Sequence, residues 1–347
     1  MRVGIVGCGD AAVTVGLASR FVRRCKIVAV ADSNEDRRQR FARRFHADAC
    51  STLDALLDQS RVDALYLAVP HHLHRELTLR ALGAGVAVLL EKPLAHTLAD
   101  AETLAAAAAN AVAEERGVAR VAVNYQYRYE PLLHALREAV AAGRLGEIRY
   151  AQIEVPWFRD RGYFNDAPWH ARLDLAGGGT LLTQGSHLLD LMLSALGPPA
   201  RATGRTYRRV ARDAEVEDLA MGIVETASGV PVAITSSMVS RAGGRARCSV
   251  YGSRGSLHYR GPSRPTLKAR GIRLARPPVL TELHAYVAAL AGFRDWVEDG
   301  TPPRCTAADA LPVMRAVAAL YESARSGRTV AVQRPGSTGP YPGTRRG

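Results

Sequence analysis

A short apolar run at residues 3–6 leads into a glycine-rich turn and then into a helical pattern that extends to about residue 24. Gly7 permits a tight bend, Gly9 lets the backbone approach a pyrophosphate, and the small Ala12 lets helix and strand touch. The free N–H groups at the helix N-terminus would then face the phosphates of a dinucleotide. The residues predicted to contact this cofactor are Gly7, Cys8, Gly9, Asp10, Ala11 and Ala12.

The second predicted strand supports this interpretation. Residues 27–31 are all apolar and end at Asp32, about 20 residues past the glycines, which is the spacing of a dinucleotide-binding βαβ unit. Asp32, followed by Ser33, would accept hydrogen bonds from ribose hydroxyls and repel a 2′-phosphate. We therefore expect the cofactor to be NAD in preference to NADP, with Arg37 on the next helix facing solvent.

Predicted strands and helices alternate over residues 1–123, which indicates an α/β domain of the Rossmann type with a parallel sheet. From residue 124 the pattern changes to consecutive strands without crossover helices, which predicts an α+β domain over residues 124–333 with a large, mostly antiparallel sheet. Residues 334–347 are rich in Pro, Gly and Arg and are predicted to be disordered. The predicted strands cover residues 3–6, 27–31, 64–69, 86–90, 119–123, 148–155, 200–209, 218–225, 232–238, 246–251 and 256–259, with a short one near 49. The predicted later helices cover residues 34–45, 53–59, 74–83, 98–116, 129–142, 281–299 and 306–325.

Lys92 follows the apolar run at residues 86–90 and lies between Glu91 and Pro93. Only three of the 46 basic residues are lysines, and the others are arginines. An ammonium in a dry site can shift its pKa and share a proton with a reacting hydroxyl, whereas a guanidinium stays charged. We therefore predict a catalytic role for Lys92, the alternative being a lysine that survives on the surface by chance.

A histidine-rich turn at residues 70–74 lies just past the carboxyl end of a predicted parallel strand, where open sheets bind their ligands. Its three histidines could suggest a metal site. No cysteine or carboxylate lies near them at ligand spacing, so we predict no metal. Glu91 and Lys92 leave the next strand at the same edge and are predicted to lie near the nicotinamide. The turn is predicted to line the cofactor through Ala68, Pro70, His71 and His74.

Residues 177–190 begin with three glycines and continue as a predicted helix. Thr183 and His187 are four residues apart on one face of that helix, and Asp190 is close enough to orient the imidazole. The glycines allow another part of the chain, or a ligand, to approach closely. We predict His187 as a catalytic base, the alternative being a histidine satisfied within the core.

Residues 157–174 form a loop that is rich in aromatic and charged side chains. Aromatic faces stack on the apolar C–H faces of sugar rings, and charged groups bind hydroxyls or phosphate. This composition indicates a loop that contacts substrate, the alternative being a packed surface loop. The residues predicted to make the contacts are Trp157, Tyr163, Trp169 and His170.

The formal net charge of +13 does not by itself indicate a nucleic-acid partner. The basic residues are spread along the chain and are not interleaved with an aromatic platform, although the charge is compatible with an anionic substrate. Five cysteines without a C-x-x-C pair predict thiols in a reducing compartment. No apolar stretch reaches the roughly 20 residues of a membrane span. We therefore expect a cytoplasmic protein with no membrane or nucleic-acid partner.

Together these segments resemble the glucose-fructose oxidoreductase, inositol dehydrogenase and rhizopine catabolism family, abbreviated Gfo/Idh/MocA. The resemblance extends from residue 2 to about residue 332. Its most specific motifs are Glu91-Lys92-Pro93, the turn at residues 70–74, Tyr127-Arg128-Tyr129-Glu130-Pro131, Gly146-Glu147-Ile148 and the helix at residues 177–190.

The resemblance implies an NAD(P)-dependent oxidoreductase that acts on CH–OH groups of a small-molecule sugar or cyclitol. It also implies an open-faced C-terminal sheet that forms the interface of a homodimer or homotetramer. By position, Lys92 matches the catalytic lysine, His187 the catalytic histidine, and Arg128 a position that touches substrate. Many members carry Asp four residues before the histidine. Here that residue is Thr183, which cannot supply the negative charge that would hold Lys92 protonated.

The residues around Thr183, which is itself predicted to contact substrate, are similar to those of a subgroup that oxidises C3 of pyranoses. That subgroup includes nucleotide-sugar 3-dehydrogenases and enzymes of aminosugar and aminoglycoside pathways. The expected function is NAD-dependent oxidation of a secondary ring hydroxyl of a pyranose, sugar nucleotide, aminoglycoside-type sugar or cyclitol to a ketone. Two alternatives stay open: a keto-sugar reductase that runs the reverse reaction, and a catalytically silent NAD-binding regulator or scaffold.

Overall fold

The computed structural model describes residues 1–59, 62–113, 120–211, 213–262, 264–274 and 282–332. Its first sheet consists of β1 (Arg2–Val6), β2 (Lys26–Ala31), β3 (Asp48–Cys50), β4 (Ala64–Leu67), β5 (Ala87–Leu90) and β6 (Val121–Val123). All neighbouring strands are parallel, in the order β3-β2-β1-β4-β5-β6. The order reverses between β1 and β4, which opens a crevice at the carboxyl ends of these strands.

Helices cover both faces of this sheet, which confirms the predicted Rossmann fold. Side chains alternate along β4, so that Tyr66 belongs to one apolar layer and Leu65 and Leu67 to the other. The first helix ends at Ser19, earlier than expected, while the start of the second helix is capped by Asn34. The helices are α1 (Asp10–Ser19), α2 (Glu35–Phe45), α3 (Leu53–Gln59), α4 (His74–Gly83) and α5 (Leu98–Ala113).

The second sheet consists of β7 (Ile148–Pro156), β8 (Pro199–Tyr207), β9 (Leu219–Thr226), β10 (Pro231–Ser237), β11 (Ala246–Gly252), β12 (Ser256–Gly261), β13 (Thr266–Arg270) and β14 (Val330–Ala331). The strand order is β13-β12-β11-β7-β10-β9-β8-β14. Within this sheet the pairing of β7 with β10 is parallel and the other described pairings are antiparallel, so the sheet is mostly antiparallel, as predicted. The short edge strands β13 and β14 were not predicted, because the alternation of β13 includes only two apolar residues, Leu267 and Ala269, and β14 is two residues long.

The remaining helices are α6 (Pro131–Ala141), α7 (Arg161–Asn165), α8 (Leu173–Ala176), α9 (Ser186–Leu196), α10 (Glu282–Asp299) and α11 (Ala307–Ser326). Helix α6 begins at Pro131, two residues later than predicted, because proline suits the first helical position and the Glu130 carboxylate caps Leu133 N at 2.7 Å. The predicted loop at residues 157–174 contains α7, the start of α8 and a 3-10 turn, Pro168–Ala171.

Helix α10 packs against the first sheet, although it lies far along the chain. Its Leu290 and Phe293 belong to the same buried cluster as Val3 and Ile5 of β1. A segment from beyond the expected boundary at residue 124 therefore covers the nucleotide-binding sheet. The domain boundaries stay predictions, and the predicted tail lies outside the described residues.

One face of the second sheet packs on α6, α9 and α11, and the described residues leave the other face open. Along β9, Ala220 and Val224 are buried, whereas Met221 and Ile223 are 49% and 50% exposed. No described helix combines the length and apolarity that a bilayer span requires. The cytoplasmic location stays a prediction.

Candidate active site

A cleft of about 950 Å³ opens where the carboxyl ends of β1, β2, β4 and β5 meet the segment around α7. Its size suits a large ligand such as a dinucleotide. One wall is the glycine-rich turn and the other is the aromatic segment. The predicted site residues that line it are Gly7, Gly9, Asp10, Ala11, Asp32, Ser33, Ala68, Pro70, His71, Glu91, Lys92, Tyr163, Trp169, His170 and Thr183.

The glycine-rich turn leaves the N-terminus of α1 open. Gly9, at the N-cap, makes no side-chain cap hydrogen bond, and a Cβ added there would meet no described atom within 4 Å. The amides at the start of α1 are therefore accessible to a phosphate. Gly7 has φ +89°, and a Cβ there would overlap the carbonyl of Ala68, so the bend requires glycine. These features fit a dinucleotide.

Asp32 ends β2 with its carboxylate held by two backbone amides. Cys8 N lies 2.8 Å from one oxygen and Asn34 N lies 2.7 Å from the other. Arg37, which was expected to face solvent, instead reaches back so that its Nη2 lies 3.3 Å from Asp32 Oδ1. The Cys8 side chain and Ala12 are buried and do not line the cleft. The backbone amide of Cys8 positions Asp32, and the small Ala12 lets α1 pack closely.

The histidines of the turn at residues 70–74 bind backbone carbonyls. His74 is buried, and its two nitrogens lie 2.9 and 3.1 Å from the carbonyl oxygens of Pro93 and Val69. Burial lowers the pKa of His74 to about 4, so this ring is neutral near pH 7. It joins the turns after β4 and β5 and is not among the described residues that line the cleft, so its predicted cofactor contact stays a prediction. His71 does line the cleft, with Nδ1 2.8 Å from Ala176 O.

Lys92 reaches from the end of β5 to the helix that carries His187. Its Nζ donates a hydrogen bond to the backbone carbonyl oxygen of Thr183 at 2.9 Å. The carboxylate of Glu91, beneath it, accepts hydrogen bonds from Tyr66 Oη and from Asn124 Nδ2, the latter at 2.6 Å. Burial lowers the pKa of Lys92 from 10.5, although the charge of Glu91 opposes the shift. The ammonium of Lys92 is thus bound by the uncharged carbonyl oxygen of Thr183 in a partly buried position.

The three glycines at residues 177–179 allow close packing within the chain. A Cβ at each position would overlap, in order, the His96 carbonyl, the Tyr321 hydroxyl and the Glu217 carbonyl. The Glu217 carboxylate also accepts hydrogen bonds from the amides of Gly179 and Leu181, at 2.8 and 2.9 Å. The glycines therefore let Glu217 hold the start of the helix that carries Thr183.

A π-helical turn, Leu181–Gly185, precedes α9. Its wider turn changes the spacing of Thr183 and His187 from the α-helical one that the sequence suggested. The Thr183 hydroxyl donates to Gly179 O at 2.7 Å, while its carbonyl faces Lys92. Thr183 thus offers the lysine a main-chain oxygen in place of a carboxylate.

His187 lies among aromatic rings, with centroid distances of 5.0 Å to Tyr127, 6.0 Å to Trp157 and 6.2 Å to Tyr125. It is 6% exposed, and its Nδ1 has no hydrogen-bond partner among the described residues. Burial, assisted by the charge of Lys92, lowers the pKa of His187 well below 6.5. The imidazole is therefore neutral near pH 7. His187 is not among the described residues that line the cleft.

Asp190 does not orient His187, contrary to the expectation from its position. Both of its oxygens accept hydrogen bonds at 2.7 Å from Nε and Nη2 of Arg128. Arg128 also donates to the carbonyl oxygens of Arg304 and Asp309. This guanidinium is 6% exposed and occupied by the protein, and Arg128 is not among the described residues that line the cleft, so its predicted substrate contact stays a prediction. It ties the segment before α6 to α9 and α11.

The aromatic segment forms the wall opposite Lys92. Tyr163 and His170 stack with a centroid distance of 4.1 Å, and Trp169 packs edge-on against His71 at 4.8 Å. Burial lowers the pKa of His170 to about 4 and raises that of Tyr163, so both are neutral near pH 7. Trp157 packs behind this wall against His187 and is not among the described residues that line the cleft.

Two family models match the chain. Residues 1–119 match an oxidoreductase family with an NAD-binding Rossmann fold, and residues 133–258 match the GFO/IDH/MocA C-terminal domain. The chain belongs to the Gfo/Idh/MocA oxidoreductase family. It is an NAD-binding oxidoreductase, as its motifs predicted.

Individual relatives agree with this membership. The chain is 32% identical to the dTDP-3,4-didehydro-2,6-dideoxy-alpha-D-glucose 3-reductase of Actinomadura kijaniata, over 69% of this chain and 68% of that protein. It is 29% identical to the 1,5-anhydro-D-fructose reductase of Ensifer adhaerens, over 82% of this chain and 84% of that protein. The WlbA dehydrogenase from Bordetella pertussis, crystallised with NADH and UDP-GlcNAcA, superposes with a TM-score of 0.84 at 24% identity. The superposition covers 96% of this chain and 99% of that protein. This last similarity concerns the fold alone.

Among the residues that line the cleft of this Gfo/Idh/MocA oxidoreductase without having been predicted as site residues are the polar Arg159 and Gln184. Gln184 Oε1 accepts a hydrogen bond from Thr180 Oγ1 at 3.4 Å, while its buried Nε2 has no partner among the described residues. A buried donor left unpaired in this way costs about 1–3 kcal/mol. Both residues stand beside predicted ones in the sequence, but residue type alone does not reveal which side chains reach the cleft.

Proposed function

We propose that this oxidoreductase oxidises a secondary ring hydroxyl of a pyranose-type sugar to a ketone, with NAD as the cofactor. The observation that carries the proposal is the position of Lys92 Nζ, held 2.9 Å from the Thr183 carbonyl in a cleft whose opposite wall carries Tyr163, Trp169 and His170. A proton-sharing amine facing aromatic rings suits a ligand that combines hydroxyls with apolar C–H faces.

The nucleotide half of the cleft would hold NAD through the open amides at the start of α1 and through Asp32. When bound, NAD supplies the hydride acceptor for the substrate carbon. The protein then has to orient the sugar, exclude water and handle the hydroxyl proton.

His187 is the proposed acceptor of that proton, because its lowered pKa keeps the imidazole neutral near pH 7. Lys92 is the proposed stabiliser of the negative charge that develops on the substrate oxygen. The Thr183 carbonyl orients Nζ without the full negative charge of a carboxylate. Burial lowers the pKa of Lys92 below 10.5, which favours sharing of its proton.

The reverse reaction, reduction of a keto sugar, is the second candidate, because both named relatives are sugar reductases. The same residues serve both directions, with His187 returning the proton. C3 is the proposed ring carbon, since the relative from Actinomadura kijaniata is a 3-reductase. A catalytically silent role would leave the buried Lys92 and His187 without a chemical purpose.

The test is a screen for hydride transfer. The enzyme with NAD should form NADH with at least one member of a panel of free pyranoses, sugar nucleotides, aminoglycosides and cyclitols. With NADH it should reduce the matching ketone. If neither reaction occurs, and no deuterium exchanges between sugar carbons and NADH, the silent role is correct.

We expect NAD to bind more tightly than NADP, because the Asp32 carboxylate, fixed by two amides, would repel a 2′-phosphate. Asp32→Ala should reduce the ratio of NAD affinity to NADP affinity by about 10-fold, which is the effect of one charge-assisted contact. Arg37→Ala is the matched variant. It should increase the preference for NAD over NADP, because it removes the guanidinium that lies beside the Asp32 carboxylate. Fluorescence titration of both cofactors measures this, and tighter binding of NADP by the wild type would contradict it.

We also propose that the open face of the second sheet joins copies into a homodimer or homotetramer. Met221 and Ile223 expose apolar side chains there, and Tyr150 is 38% exposed on β7. Met221→Glu combined with Ile223→Glu should shift the protein to smaller species in sedimentation velocity. Phe21→Glu, at an exposed apolar residue just past α1, is the control and should change nothing. An unchanged assembly in the double variant would exclude this face.

A further inference from the structure

A second cavity of about 490 Å³ lies beside the cleft, and we call it the side cavity. Its size is that of a small-ligand site. Arg159 and Pro168 line both spaces. The cleft and the side cavity therefore adjoin at Arg159 and Pro168.

The segment from α7 to the following 3-10 turn is the wall between the two spaces. Tyr163 and Trp169 line the cleft, whereas Phe164 and Ala171 line the side cavity. The aromatic segment thus contributes to two binding surfaces, and only one of them is explained by a sugar ring beside Lys92.

Arg159 supplies a positive charge at the junction. Its Nη1 donates to the Phe158 carbonyl at 3.0 Å, and its guanidinium lies 5.4 Å from the centroid of the Tyr163 ring. Neither Arg159 nor the exposed Arg161, which also lines the side cavity, forms an ion pair with a described carboxylate. The remaining N–H groups of Arg159 are free to bind an anion in two-point fashion.

The acidic side chains around the side cavity have other roles. Asp218 is buried, and its carboxylate accepts hydrogen bonds from the amides of residues 209–211. Asp160 accepts a hydrogen bond from Tyr163 N as the cap of α7. Asp213 is exposed to solvent, which screens its charge. The apolar part of the side cavity is formed by Phe164, Val210 and Met238, which stand beside these polar side chains.

We propose that the side cavity binds the nucleoside diphosphate of a sugar nucleotide, with Arg159 holding the phosphates at the junction. A guanidinium at the entrance and an apolar part of the wall match a phosphate followed by a flat base and ribose. The inference rests on the proposed function, since it requires the sugar ring to lie in the cleft near Lys92.

The first test measures binding of UDP and dTDP by calorimetry with NAD at saturation, so that the cofactor site is filled. Arg159→Ala should weaken binding by about 10- to 100-fold, the effect of losing a charge-assisted contact. Ala211→Trp should also weaken it by filling the side cavity from another wall. Arg172→Ala is the matched control, because Arg172 is an exposed arginine just past this wall, paired with Asp174 at 2.6 Å and outside both spaces. It should bind as the wild type does.

The second test compares kcat/KM for UDP-glucose and dTDP-glucose with that for methyl glucoside. The nucleotide sugars should be preferred, and Arg159→Ala should reduce that preference mainly through KM. The inference would be overturned if UDP and dTDP did not bind, or if Arg159→Ala and Ala211→Trp both left their affinity unchanged. Turnover of free sugars without any nucleotide preference would overturn it while the proposed function stands. If UDP and dTDP bound in a manner that depends on Arg159 but no sugar were turned over, the nucleotide site in the side cavity would stand and the proposed function would be rejected.

Discussion

Replacing Lys92 with alanine should lower kcat for sugar oxidation by about 100- to 10,000-fold, the range of a lost proton-transfer or charge-stabilising group. The fold should survive, because the side chain makes one hydrogen bond, to the Thr183 carbonyl, worth about 1 kcal/mol. NAD affinity should stay close to that of the wild type, since Asp32 and the amides of α1 are unchanged. Steady-state kinetics and fluorescence titration measure the two effects separately.

Lys92→Arg should not restore the rate, because a guanidinium keeps its charge and does not share a proton. Lys268→Ala is the matched control, since Lys268 is an exposed lysine on the edge strand β13. If Lys92→Arg retained most of the activity, a fixed positive charge would suffice and the proton-sharing role would be wrong.

His187→Asn should lower kcat/KM for oxidation by at least about 100-fold and remove the acidic limb of its pH profile. In the wild type that limb should lie below pH 6.5, because burial lowers the pKa of His187 and the base is lost only when the pH falls through that lowered value. The alkaline limb should lie below 10.5, where Lys92 loses its proton. Between these limits the profile should be flat.

Thr183→Ala should have a much smaller effect than His187→Asn, because Lys92 binds the carbonyl of residue 183 and not its hydroxyl. Thr183→Asp should move the alkaline limb upward, since a carboxylate near Nζ favours the ammonium. If Thr183→Ala were as damaging as His187→Asn, or if the histidine variant kept the wild-type profile, the base would lie elsewhere. Tyr163 and His170, on the opposite wall, would then be the residues to test.

The Rossmann half was predictable because its signals are local. The bend at Gly7, the small residue at position 12 and the acid at the end of β2 each act within one βαβ unit, and the structure has the expected strand order. The edge strands β13 and β14 were missed, because β13 alternates over only two apolar residues and β14 is two residues long, which is too little for a periodic signal. The packing of α10 on β1 joins residues nearly 300 positions apart, which no local pattern records.

The sequence by itself determined the fold class, the dinucleotide loop, the edge of the sheet at which Lys92 emerges, and membership of the family, because these follow from periodicity and short motifs. Only the tertiary structure decided the partners of the polar side chains. Asp190 pairs with Arg128, 62 residues away, and not with His187, while Lys92 binds a carbonyl 91 residues away. Arg37 turns back to Asp32, and Arg159 joins the cleft to the side cavity. A buried polar group takes whichever partner the packing brings within about 3 Å. Sequence spacing does not contain that distance.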